Sequence, residues 1–98
     1  MVIWSEPAKE DLRTIYEYIA HDSPVYAHQV INNIIEKSET LKDFPAIGRI
    51  VPETNDDDIR ELIIYSYRII YENAKNDSII HAVIHGKKDF NNSFEYSK

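Results

Sequence analysis

Apolar positions along the 98-residue chain recur first at helical and then at strand spacing. Ala8, Leu12, Ile15, Tyr16 and Ile19 lie three or four apart, which predicts one buried helical stripe running to about Ala20. Ser5 can cap that helix, and Pro7 sits in a first turn, where its missing N–H costs nothing. The apolar run Val2-Ile3-Trp4 before it reads as a short strand. A second stripe, Ala27, Val30, Ile31, Ile34, Ile35, Ser38 and Leu41, predicts a helix that starts at Pro24, with Asp22 and Ser23 as candidate caps. It ends before Phe44-Pro45, because a residue preceding proline avoids the α region. Two helices with a three-residue break between them form a helical hairpin.

The stretch 44–58 holds two prolines, a glycine and the acidic run Asp56-Asp57-Asp58, and reads as a solvated loop. From Ile59 the period changes to two. IRELIIYSYRIIY (Ile59 to Tyr71) has two β-rich runs around Tyr65-Ser66, the pattern of an antiparallel hairpin. With those two residues as the turn, Leu62 faces Ile69, Ile64 faces Tyr67 and Arg60 faces Tyr71. The opposite face carries Glu61, Ile63, Arg68, Ile70 and Glu72. The first face suits a core. The second mixes isoleucines with an arginine, and suits either a bound partner or an ordinary mixed surface. Arg60 lies on the apolar face, where a lone charge is costly, so it is expected to pair with Asp11 or Glu10 of the first helix. A polar turn, Lys75-Asn76-Asp77, leads into a last strand from Ser78 to His85.

This order, β-α-α-β-β-β, predicts an α+β domain: a small antiparallel sheet covered on one face by the helical hairpin and open on the other. Residues 1–90 form the domain and 91–98 a polar tail. The chain has no cysteine and no apolar run near the roughly 18 residues of a membrane span, which fits a cytoplasmic protein. A net charge of −6 argues against a protein that coats nucleic acid. No cofactor or metal is expected. His81 and His85 lie four residues apart on a strand, about 13 Å, too far to share an ion, and the acidic loop lacks the turn glycine of a calcium site. The remaining candidate chemistry is a basic and imidazole group: Arg68, His85, Lys87 and Lys88. It suits surface salt bridging, or a phosphate held beside a histidine that titrates near neutral pH.

The strings WSEPAKEDLRTIYEYI, FPAIGR, IRELIIYSYRIIY and HAVIHGKKDF, in this order and spacing over roughly residues 3–90, resemble the RelE/ParE superfamily of toxins from bacterial type II toxin–antitoxin systems. The resemblance implies the same sheet with a helical hairpin, a cognate antitoxin, a homo- or hetero-oligomer with it, and a role in plasmid stabilisation. RelE-like members cleave messenger RNA on the ribosome. For that activity the resemblance assigns Arg68, which matches the arginine of the family's GYR segment, and Lys88, which matches a basic position after the last strand. Another interferase subgroup uses a histidine, which keeps His85 a candidate. Ile59 and Glu61 stand where RelE has two lysines, and Phe94 stands where it has a tyrosine. A glutamate there repels a phosphate backbone, and acid–base cleavage at a 2′-OH loses its donors. ParE-like members poison DNA gyrase by binding, and the HGKKD ending and long helical hairpin are closer to them. The resemblance thus implies a ParE-like, non-enzymatic gyrase inhibitor. The alternatives are a ribosome-dependent endoribonuclease centred on Arg68, His85 and Lys88, and an inactive relative that binds only its antitoxin. Ile63, Arg68, Ile70, His85, Lys87 and Lys88 are the expected target- or antitoxin-binding surface.

Overall fold

Two serines set the helix starts in the computed structural model, which describes residues 1–86. After strand β1 (Val2–Trp4), Ser5 accepts a hydrogen bond at Oγ from the Ala8 N–H (3.2 Å) and opens helix α1 (Glu6–Ala20). Ser23 does the same for the Tyr26 N–H (3.2 Å) and opens helix α2 (Pro24–Glu39). Each cap satisfies one N–H that the first turn leaves without a partner. A short 3-10 turn, Thr40–Lys42, continues α2 and carries Leu41 into the core, as the stripe requires.

Four further strands complete one sheet of order β1-β5-β4-β3-β2, namely β2 (Arg49–Ile50), β3 (Ile59–Ile64), β4 (Tyr67–Ala74) and β5 (Asp77–His85). The predicted β-α-α-β-β-β frame holds, with two refinements. The sheet is mixed, because β1 pairs parallel with β5; the long connection between them permits it. The predicted loop also contributes the two-residue edge strand β2, which pairs with Glu61 and Arg60.

The central hairpin has the predicted register, Leu62 with Ile69, Ile64 with Tyr67 and Arg60 with Tyr71. Its turn puts Tyr65 at φ 55°, a left-handed conformation unusual for a bulky side chain. Asn33 of α2 donates to the Tyr65 hydroxyl (2.5 Å) and ties that turn to the helical layer. Between β4 and β5 the register shifts at Ile70/Tyr71, since Ile70 faces Ala82 but Tyr71 faces Ile80, leaving His81 as the extra residue of a bulge. The bulge lets Ile80 and Val83 both join the helix-side core although they are three apart.

That core packs Ala8, Val30, Ile34 and Leu41 against Leu62, Ile69, Tyr71, Ile80 and Val83. The other face is not open along its length. Val51, Ile59, Ile70, Ala82 and Ile84 form a second buried cluster there. Thr54 and Asp56 fold the chain after Val51 into ordered turns, with Thr54 Oγ1 donating to the Val51 carbonyl (3.1 Å) and Asp56 Oδ1 accepting from the Asp58 N–H (2.9 Å).

Arg60 pairs with neither Asp11 nor Glu10. Its Nη1 donates to the carbonyls of Gly48 (2.8 Å) and Ala46 (3.3 Å), so loop backbone meets one end of the guanidinium, while the buried Nε has no hydrogen-bond partner among the described residues. Asp11 instead accepts from the Val83 N–H (3.0 Å), docking α1 onto β5 beyond the end of β1. The same loop is held by Tyr71, the cross-strand partner of Arg60, whose hydroxyl accepts from the Gly48 N–H (3.0 Å) and donates to the Pro45 carbonyl (2.8 Å).

Candidate functional site

Glu61 is the residue around which the site forms. It lies on the sheet face opposite the helices, and its side chain has no solvent exposure. A carboxylate there needs cations, because an unmatched buried charge costs several kcal/mol. Two arginines supply them. Arg68, diagonal to Glu61 across the β3–β4 pair, donates from Nε to Glu61 Oε1 (2.6 Å), and Arg49 of β2 donates from its own Nε to Oε2. Arg68 is itself 8% exposed. Its two terminal nitrogens reach Glu53, from the loop after β2, in a bidentate pair (Nη1–Oε2 3.0 Å, Nη2–Oε1 2.8 Å). The four side chains form a chain, Arg49–Glu61–Arg68–Glu53, whose formal charges cancel. Both ends meet solvent, Glu53 at 36% and Arg49 at 65% side-chain exposure, while Glu61 and Arg68 lie between them.

The hydrogen bonds from Arg68 hold the Glu53 carboxyl below its ordinary value of 4.5. Conversely, Glu53 foremost, with Glu61, pushes the Arg68 guanidinium above its usual range, so it stays charged at any pH of interest. A carboxyl depressed in the folded state contributes stability that is present above its unfolded value and lost as pH falls through the folded one. The wild-type chain should therefore be more stable than Glu53→Gln at neutral pH, and the gap should close below pH 4.5. Urea midpoints of both proteins across the acid range check this; parallel curves down to the acid limit would refute it.

Beside the network, at the end of the hairpin, a cleft of about 420 Å³ is lined by Arg49, Pro52, Glu53, Ile63, Tyr65, Tyr67, Arg68 and His85. Tyr67 and His85 are direct cross-strand partners with their rings edge to face (5.9 Å between centroids). Burial, with Tyr18 and Tyr26 nearby, pushes the Tyr67 hydroxyl up, so it is a neutral hydrogen-bonding group at neutral pH and no base. Because side chains alternate, Tyr67 and His85 point to the helix side, and Arg68 points to the reverse face.

The expected site residues thus separate. Arg68 and His85 border one cleft but project from opposite faces of the sheet. Ile63 is 48% exposed at the rim, whereas Ile70 is fully buried and presents no surface to a partner. The pairing of Arg60 with Asp11 is replaced by separate backbone contacts for each. Lys87, Lys88 and Phe94, and the tail 91–98, lie outside the described residues. Sequence reasoning missed Arg49 and Glu53, both within the stretch read as loop. One signal could have found them: a lone glutamate amid IRELII demands a counter-charge from elsewhere. Among the described residues, no three His, Cys, Asp or Glu side chains gather as a metal would require, and no helix is long and apolar enough to cross a membrane.

Comparison with known proteins gives concordant matches. The family model for the ParE toxin of type II toxin-antitoxin system, parDE, matches residues 2–90. Toxin RelE2 of Caulobacter vibrioides is 31% identical over 83 residues, covering 84% of this chain and 88% of that protein. Among solved structures, the chromosomal ParDE TA system from P. aeruginosa superposes with a TM-score of 0.72 at 20% identity, covering 86% of this chain and 92% of the other. At that identity the structural likeness establishes the fold.

Proposed function

The chain belongs to the ParE/RelE family of toxins from type II toxin–antitoxin systems, and from that premise we propose that it is a ParE-like inhibitor of DNA gyrase, neutralised in the cytoplasm by a cognate antitoxin. The supporting observation is the state of Arg68. In the alternative reading, a ribosome-dependent endoribonuclease, this arginine would grip the scissile phosphate, with His85 and Lys88 beside it. Here its guanidinium is buried and shared between Glu61 and Glu53. Preorganised positive charge is usually the largest contribution to such catalysis, and carboxylates already on it cancel that contribution. His85 projects from the other face, so the two groups do not converge on one phosphate. Binding, by contrast, requires no bare arginine.

A pair of assays separates the readings. Purified protein should inhibit supercoiling by gyrase and leave messenger RNA on translating ribosomes intact by primer extension. His85→Ala should leave the messenger RNA result unchanged. Cleavage of ribosome-bound messenger RNA that disappears in His85→Ala, with supercoiling unaffected, would overturn the gyrase reading. Inactivity in both assays, with a stable complex when the antitoxin is coexpressed, would identify an inactive relative.

A further inference from the structure

Glu53 differs from the other members of the network in its position. Glu61 and Arg68 are fixed on paired central strands, but Glu53 reaches Arg68 from the loop after β2 and is the most exposed carboxylate of the set. It lines the cleft with its carboxylate seated on the Arg68 guanidinium, and Pro52, Ile63 and Tyr65 line the same cleft. A second carboxylate on a peptide could take the same seat, with the same two bonds, once Glu53 turns into solvent.

We infer that the Glu53 end of the network is an exchangeable carboxylate site, and that the cleft receives a glutamate or aspartate side chain of a partner peptide, with an apolar neighbour, in place of Glu53. The exchange conserves charge, one carboxylate for one, and Glu61 stays paired throughout. A phosphate fits less well. The buried Glu61 carboxylate lies 2.6 Å from the same guanidinium, and an ion carrying up to about two negative charges meets that repulsion in full. Exposed Ile63 and Tyr65 offer contact area to an aliphatic side chain next to the acid. Only the identity of the partner, the antitoxin, rests on the function proposed above; the site itself does not.

Chemical rescue tests the site without reference to gyrase or ribosome. Glu53→Ala should melt roughly 5 °C or more below wild type, having lost a partner of a buried arginine. Sodium acetate should restore much of that loss relative to sodium chloride at equal ionic strength, and saturably. Butyrate, with two more methylenes against the apolar lining residues, should do so at roughly tenfold lower concentration. Wild type, whose seat is taken, should gain far less from either salt. Should Glu53→Ala not fold, Glu53→Ser, which also empties the seat, gives the same readout under the same salts. Equal shifts in wild type and variant would show a general salt effect and overturn the site. Restoration by phosphate as strong as by butyrate would overturn its assignment to carboxylates.

Discussion

Arg68→Ala should lower the stability of the chain by about 3–5 kcal/mol, a large share of what a single domain possesses. The reason lies in what the substitution leaves behind. Glu61 has no exposure of its side chain, and its remaining partner, Arg49, approaches from a side chain that is 65% exposed. The carboxylate must then stay charged with half its compensation or take up a proton, and both are costly in a site that excludes water. Urea unfolding followed by circular dichroism measures the loss. The companion is a double variant, Arg68→Met with Glu61→Leu, which removes both charges and should recover most of the stability, because apolar replacement of a buried pair is often neutral. A single variant within about 0.5 kcal/mol of wild type would show that the network contributes little. Loss of toxicity in Arg68→Ala is therefore no sign of catalysis unless folding is measured alongside.

Gly48→Ala should be nearly as damaging, for a steric reason. A Cβ at this position would lie 2.6 Å from the Glu61 carbonyl oxygen and 2.7 Å from both Cε1 and Oη of Tyr71. None of these can withdraw cheaply. The carbonyl belongs to the β2–β3 ladder, and the Tyr71 ring is fully buried with its hydroxyl bonded to Gly48 and Pro45. The backbone of Gly48 must move away, breaking both hydrogen bonds and drawing the 44–48 segment off Arg60. Overpacking with a lost hydrogen bond amounts to roughly 3 kcal/mol, or a fall in Tm on the order of 15 °C for a domain of this size. Differential scanning calorimetry checks it, and a fall of less than about 4 °C would mean that the loop is softer than its contacts suggest.

What the sequence revealed and what it withheld divide along physical lines. Both helices, their serine caps and the hairpin register follow from local periodicity and turn chemistry, and these are the features found where expected. The second buried cluster and the ion network were not legible, because each joins the stretch 51–53 to strands several residues to several tens of residues away. Polar loop composition says nothing about which strand face the loop covers. Arg60 illustrates the same limit. That its charge needed a partner could be reasoned from its face of the hairpin, but a backbone carbonyl serves as well as a carboxylate, and carbonyls leave no mark in a sequence. The parallel pairing of β1 and the bulge at His81 likewise depend on how distant segments meet.

The diagonal placement of Glu61 against Arg68 also constrains how relatives of this chain can diverge. Losing either partner singly strands a buried charge, so descent from a paired ancestor to a bare arginine cannot proceed by independent neutral steps. The two positions, and Glu53 and Arg49 with them, are expected to change together or not at all, leaving a correlated block in any lineage that keeps the glutamate. Lineages carrying a cation in place of Glu61 would then be separated from this one by a fitness valley whose depth is set by folding, whatever the toxin attacks.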